Sequence, residues 1–419
     1  MRYIGDFHIH SKFSRATSQQ IDLKNLEKWA KIKGVSLIGT GDFTHPEWFD
    51  EIKKNLEPAE DGLFKIKGSK ENVRFILTTE VSCVYTKNGK VRKIHIVIFA
   101  PSIQVVEKIN TQLSWSFNLK ADGRPILGID AKELVKMILE ISLDCLIVPA
   151  HIWTPWFSLF GSKSGFNSIE ECFEELSSQI FALETGLSSD PKMNWRLSAL
   201  DKYTLISNSD SHSLQKIARE ANIFEGKDIN YKKIIEAIKK GGKERGDLNM
   251  VATIEFFPEE GKYHYDGHRF CEVRFSPQET KKYGGICPVC KKPLTVGVLS
   301  RVEELADRNE GERPKTALPF ISLVPLAEII AEVFNQNSSN SKFVENKYFE
   351  MINTFGSEFE ILLDIPIEEI ERDFPEIAQG IKIVREGKVK ITPGYDGEFG
   401  KVSLFGNEEE QKSLQKTLF

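Results

Sequence analysis

Short apolar runs rich in β-branched residues alternate with amphipathic stretches along the first 215 residues. Met1 to Ile4, Val35 to Ile38, Val73 to Leu77, Ile94 to Phe99, Cys145 to Val148, Ile180 to Leu183 and Tyr203 to Ile206 are too short for helices and read as buried strands. Between them, Leu23 to Lys33 and Ala131 to Ile141 repeat apolar residues at helical spacing. The alternation predicts an α/β fold, a parallel barrel or sheet with outer helices. One join differs. Asn88-Gly89 is a residue pair that tight hairpins favour, and a two-residue loop there puts His95 opposite Ser82.

The polar residues that follow the runs point to metal chemistry. They are Asp6, His8 and His10, then Asp42 and His45, then Glu80, His151, Glu184, and finally Asp210 and His212. Barrels of this kind place their active sites at the sheet end where such residues emerge. His95 opens its run, but the hairpin sets it near Glu80, which shares a strand face with Ser82. His8-Ile9-His10 and Asp210-Ser211-His212 each hold two ligating side chains at i and i+2, on one strand face. Either pair alone would serve equally well as a polar strand edge. Two such pairs, with Glu80, His95 and His151 between them, predict a metal centre. Mixed histidine and carboxylate donors suit Zn²⁺ or Mn²⁺ better than Mg²⁺. Glu184 fits an added ligand, a base or a group that orients a ligand, with a helix cap or salt bridge as the plain alternative.

At 419 residues the chain exceeds one typical core, so two or three domains are expected. Its 28% charged residues and net charge of -5 are those of a folded soluble protein. Charged residues and histidines occupy the first ten positions and no apolar run reaches membrane-spanning length, which predicts a cytoplasmic location.

Cys83, Cys145 and Cys172 stand singly in apolar contexts, whereas Cys271, Cys287 and Cys290 are grouped. His268-Arg-Phe-Cys271 and Cys287-Pro-Val-Cys290 are two ligand pairs with fifteen residues between them, the spacing of a small ribbon around one structural Zn²⁺. The third cysteine and the histidine make this stronger than a redox reading of the Cys287, Cys290 pair. His264 competes for the fourth ligand place, and the matching two-residue gap favours His268. Lys281, Lys282, Lys291, Lys292 and Arg301 give this unit a basic face, suited to phosphate contact or simply to solvent. Beyond it, Pro325 to Phe334 and Ile367 to Arg372 have helical periodicity, while Lys388 to Ile391 and Lys401 to Phe405 look like strands framing a glycine-rich turn. The predicted units are residues 1–248 (metal-dependent phosphoesterase), 249–300 (zinc ribbon), 301–406 (mainly helical) and 407–419 (a disordered tail).

Asp6-Phe-His8-Ile-His10-Ser11, Gly41-Asp42-Phe-Thr-His45, Glu80 with His95 and His151, and Asp210-Ser-His212 resemble the four motifs of the polymerase and histidinol phosphatase (PHP) superfamily, over roughly residues 1–250. That resemblance implies a distorted (βα)7 barrel holding two or three divalent ions, Zn, Mn or Mg, that hydrolyse phosphoesters. It implies that His8, His10, Glu80 and Asp210 surround one metal, and that Glu80 bridges to a second held by His95 and His151. The family's usual extra histidines are replaced here by Arg15, Ala16 and Phe43, which leaves Asp42, His45 and His212 for a third ion.

Together with these motifs, His264-Tyr-Asp-Gly-His268-Arg, Arg301-Val-Glu-Glu-Leu-Ala-Asp-Arg308 and Gly394-Tyr-Asp-Gly-Glu-Phe-Gly400 resemble the archaeal endonuclease Q family over nearly the whole chain. The resemblance implies a nucleoid-associated DNA repair enzyme with damaged DNA as partner. Such an enzyme cuts the phosphodiester 5′ of uracil, hypoxanthine, xanthine or an abasic site and leaves 3′-hydroxyl and 5′-phosphate ends. His8, His10, Glu80, Asp210 and Glu184 would then carry catalysis. A base drawn out of the duplex needs an aromatic pocket, for which Trp48, Trp153 and Trp156 are candidates, each with core packing as the plain alternative. Lys163, between Gly161 and Gly165, is a candidate phosphate contact. The tail from Gln411 to Phe419 resembles sliding-clamp (PCNA) peptides, with Gln415, Leu418 and Phe419 as anchors, although the usual aromatic beyond Phe419 is missing. The competing classes are a PHP-family small-molecule phosphatase, acting on histidinol phosphate or a nucleotide, and a DNA-binding module without activity.

Overall fold

A computed structural model describes residues 1–405; the anchors Gln415, Leu418 and Phe419 lie outside the described residues. The strands that frame the site are β1 (Arg2–Asp6), β2 (Leu37–Gly39), β3 (Arg74–Lys87), β4 (Lys90–Ala100), β5 (Leu146–Pro149), β6 (Ala182–Glu184), β7 (Thr204–Ile206), β8 (Ala221–Gly226) and β9 (Leu248–Glu255); β6 and β7 form a two-stranded sheet of their own and the rest belong to the main sheet. Hydrogen-bonded neighbours run β9-β8-β1-β2-β3-β4-β5, and β6 pairs with β7. The sheet then closes on itself through single contacts rather than ladders. The Ile152 amide bonds the Glu184 carbonyl at one seam (3.1 Å), and the Asn222 side-chain amide bonds the Ser207 carbonyl at the other (2.7 Å).

Among these nine strands the expected parallel order holds for β1-β2, β2-β3 and β6-β7. The β3-β4, β4-β5 and β1-β8 pairs are antiparallel. The cause at β3-β4 is the Asn88-Gly89 turn: both residues have positive φ (54° and 70°), and the chain reverses at once, with Ser82 opposite His95. Helix α1 (Leu23–Lys33) begins where Asp22 caps the Asn25 amide and ends at Gly34, which takes φ 86°; its buried Leu23, Leu26 and Ala30 face the sheet. Inside the closed sheet, Phe7 meets Phe99 and Phe224 edge to face, beside Leu37, Ile76, Val97 and Val148. This plug sits directly under His8.

The sequence boundary at residue 248 falls at the start of β9, which belongs to the main sheet by pairing with β8 and then with a further strand, Phe320–Ser322. The cysteine-rich unit therefore leaves the sheet after Glu255. It contains a two-stranded ladder, β10 (Asp266–His268) with β11 (Val273–Phe275), a short helix, Pro277–Lys282, and a small core of Val273, Cys287 and Leu294. The last part carries helices Leu326–Val333, Lys342–Phe355, Ile367–Asp373 and Pro375–Arg385, and an antiparallel pair Lys390–Thr392 with Lys401–Ser403. A buried ion pair docks it against α1: Lys33 reaches Glu358 (2.5 Å), which also accepts from the Tyr348 hydroxyl (2.6 Å) and the Leu326 amide (3.0 Å). No helix among the described residues is long and apolar enough to cross a membrane.

Candidate metal centre

Two groups of ligand atoms, each within 4.8 Å of one another, meet at the end of the closed sheet: His8, His10, Glu80 and Asp210 form one, and Glu80, His95 and His151 the other. Glu80 belongs to both because its two oxygens face different ways. Oε2 lies 3.4 Å from His8 Nε2 and 3.3 Å from His10 Nε2, while Oε1 lies 2.6 Å from His95 Nδ1 and 3.1 Å from His151 Nε2. Asp210 completes the first group, 3.0 Å from His10 Nε2 and 3.6 Å from His8 Nε2.

Three of the four histidines are aimed by a partner on their far nitrogen. His8 Nδ1 donates to Glu184 (3.0 Å), His10 Nδ1 to Asp42 (2.9 Å), and His151 Nδ1 meets the Thr154 hydroxyl (3.2 Å). Such partners fix the tautomer and hold the other nitrogen free for a metal. His8 Nε2 is indeed buried with no hydrogen-bond partner, and an orphaned acceptor among carboxylates fits an absent cation. Glu184 is thus a positioning residue. It also binds the His151 amide and the Asn208 side chain, both at 2.9 Å, and Asn208 in turn holds the Phe7 amide (2.9 Å). Asp6 faces away from both groups and accepts from Ser209 and the Ala218 amide, tying down the loop that carries Asp210; burial pushes its pKa up to about 6.

The backbone is strained where the ligands need it. Asp42, His151 and Asp210 have φ of 46°, 32° and 47°, a region that non-glycine residues enter rarely. Gly123 has no such constraint but passes so close to Asp42 and Ser14 that any Cβ would collide with them.

Electrostatics follow the packing. Burial disfavours charge on His8 and His10, yet Glu184, Glu80 and Asp210 around the first and Asp42 and Asp210 around the second hold both pKa values well above the ordinary imidazole value. Burial would raise Glu80, but His95, His8 and Arg124 hold it well below the carboxylate range. His95 goes the other way, to about 4, because burial dominates. Protons on His8 and His10 are ones a metal must displace.

The third ligand set expected from the sequence does not assemble among the described residues. Asp42 spends its oxygens on His10, the Ser11 amide (2.6 Å) and hydroxyl (2.7 Å), and the Ser14 hydroxyl (2.8 Å). His45 stacks on Phe13 at 4.3 Å, and His212 donates to the Asp210 carbonyl (2.9 Å). Trp48 and Trp153 are fully buried, their indole nitrogens on the Thr40 and Gly41 carbonyls and on Asn194, so they are core and not a stacking surface. Trp156 is 43% exposed, edge to face with Tyr263 at 5.7 Å, and Lys163 is exposed. Arg301, read as part of a basic face, is buried and clamps the loop after His151: it donates to the Phe160 and Phe166 carbonyls (3.0 Å each) and to Asn167 (2.7 Å).

The ribbon ligands converge separately. His268, Cys271, Cys287 and Cys290 form the remaining ligand group, with both His268 ring nitrogens 3.9 Å from the Cys290 sulfur. His264 is buried elsewhere, stacked on Tyr265, and burial lowers its pKa to about 4. Sequence reasoning passed over Arg124, whose guanidinium is 3.1 Å from Glu80 Oε2. No spacing signal marks it, since it lies in a loop remote in sequence from every ligand.

Comparison with known proteins agrees with this architecture. A family model described as the MJ0043 C-terminal domain matches residues 325–388. The uncharacterized protein MJ0043 of Methanocaldococcus jannaschii is 36% identical over 275 residues, which are 64% of this chain but only 33% of that protein, so the chain spans about a third of that relative's length. The uncharacterized protein YqxK of Bacillus subtilis is 27% identical over 411 residues, 95% of this chain and 98% of that one. Among solved structures, the lesion-specific endonuclease PfuEndoQ from Pyrococcus furiosus superposes with a TM-score of 0.85 at 33% identity, covering 99% of each chain. Endonuclease Q in complex with a 27-mer duplex carrying an abasic lesion at the active site gives 0.84 at 33% identity over 98% of each. The chain belongs to the endonuclease Q family.

Proposed function

We propose that this chain is a metal-dependent DNA repair endonuclease that cuts the phosphodiester on the 5′ side of uracil, hypoxanthine, xanthine or an abasic site. The observation that carries this reading is the full-length likeness to lesion-specific endonucleases, in a chain whose own ligand atoms gather into two groups sharing one carboxylate. The closed sheet is read as a PHP barrel, the cysteine group as a structural zinc ribbon, and the tail as a sliding-clamp peptide. Divalent ions at the two groups would polarise the phosphoryl oxygens and lower the pKa of a bound water.

The protein's part is positional. Glu80 sets the separation of the two ligand groups, Glu184 and Asp42 hold His8 and His10 in one tautomer, and Asp6 keeps the Asp210 loop in place. Water adds across the P–O3′ bond: its oxygen stays on the 5′-phosphate and a proton goes to the 3′ oxygen. Trp156, 43% exposed, would meet a displaced base on this reading, and the exposed Lys163 would meet backbone phosphate.

The test uses labelled duplexes with one uracil, hypoxanthine or tetrahydrofuran abasic site, incubated with Mg²⁺, Mn²⁺ or Zn²⁺ and with the product ends mapped. A single nick 5′ of the lesion, with undamaged duplex intact, is expected. Turnover of histidinol phosphate or nucleotides without nicking would turn the reading to a small-molecule phosphatase. Lesion binding without cutting under every metal would turn it to a binding module.

A further inference from the structure

We infer that Arg124 is a substrate-binding residue: its guanidinium lies against Glu80 at the edge of the ligand groups, where it would meet the scissile phosphate. This rests on the endonuclease reading above. Gly123 and Arg124 are held in a fixed loop, the first by the Phe13 carbonyl (3.0 Å) and the second by Asp122, which accepts the Arg124 amide (3.0 Å). The only side-chain hydrogen bond of Arg124 among the described residues goes to Glu80 Oε2, the oxygen that also faces His8 and His10. The Arg124 side chain is 26% exposed while Glu80 is fully buried, so the pair links the ligand groups to solvent.

No other lysine or arginine among the described residues pairs with a carboxylate of either ligand group. A dication held by His8, His10, Glu80 and Asp210 would compete for Glu80 Oε2 and would repel a neighbouring guanidinium. The anion left for Arg124 is a phosphate lying across the same cluster, and the planar fork of donors matches its non-bridging oxygens better than a lysine would. Negative charge grows on those oxygens as water attacks, so the contact strengthens towards the transition state.

The experiment compares wild type, Arg124→Gln and Arg124→Lys by three readouts. These are Mn²⁺ affinity without DNA, nicking of an abasic duplex, and binding of that duplex in Ca²⁺ with either an ordinary or an uncharged methylphosphonate linkage at the cut position. Arg124→Gln is expected to bind Mn²⁺ as tightly as wild type or more tightly, because a competing cation is gone. It should nick about 10²-fold more slowly, and it should bind the two linkages equally where wild type prefers the charged one. Arg124→Lys should restore the linkage preference in part. Unchanged nicking would overturn the proposal, and so would Mn²⁺ affinity falling in step with nicking, since that marks a support for the ligands. If wild type nicks no lesion duplex, the endonuclease reading fails and this assignment falls with it.

Discussion

In the main sheet, His8, His10 and Glu80 are each no more than 2% exposed, and His8, His10 and His151 are each held by a hydrogen bond on the far ring nitrogen. In the ribbon, Cys271, Cys290 and His268 are only partly buried, and the local core amounts to Val273, Cys287 and Leu294. The first site is built by the protein for the metal. On our proposal the second would need a metal to hold its fold, as small ligand-rich units with little core generally do. A site made in advance can be strained and precise in geometry, which suits catalysis. A site made by its ion suits a surface that must simply be present.

The largest effect should come from removing what the two catalytic groups share. Glu80→Gln is expected to slow nicking by roughly 10³-fold or more, the scale on which members of an interdependent catalytic set fail. Glu184→Gln, which loosens His8 and the backbone of His151 but removes no ligand, should cost about 10–100-fold in metal affinity by calorimetry. If the two variants behave alike, the distinction between ligand and positioning residue is wrong.

Chelation sharpens the contrast by a different measurement. Stripping all metal should abolish hydrogen-exchange protection in residues 266–294 while β1, β3 and β4 keep theirs. Equal loss in both regions would mean that the closed sheet also depends on its ions.

The smallest effect is in pH. Glu255 is buried near Glu220, and burial pushes its pKa up to about 8. A carboxyl raised on folding adds stability that is complete below its unfolded value and lost as pH climbs through the folded one. The melting temperature should therefore drop between pH 5 and pH 9, by roughly 5 °C, and Glu255→Gln should flatten the decline. A rise over that window would remove Glu255 from the account.

Much of the catalytic region is legible in the sequence because strand geometry converts spacing into direction. His8 and His10 share a face by the two-residue period, and the Asn88-Gly89 turn alone sets Ser82 against His95. What stays hidden is what depends on packing between distant segments. Strand β8 is masked by Asn222, a buried amide inside the run whose side chain bonds Gly5, Ser207 and Asn208. Trp48 and Trp153 follow His45 and His151 closely in sequence, yet they point into the core. Asp42 looks like a ligand by motif, but the serines at positions 11 and 14 take up its second oxygen. Arg301 looks like surface charge, and only the fold shows the carbonyls that enclose it.

The Asn88-Gly89 turn carries a consequence for how this protein can change over time. Exposed hairpin tips are ordinarily where chains gain and lose residues freely. Here β3 and β4 pair without interruption from Lys87 and Lys90 down to Leu77 and Ala100, and the register begins at that tip. A length change absorbed in the ladder would slide His95 to the opposite face from Glu80. The surface turn is therefore under the same selection as the buried ligands it lies far above, and length variants that survive there should be those that bulge outward and leave the register alone.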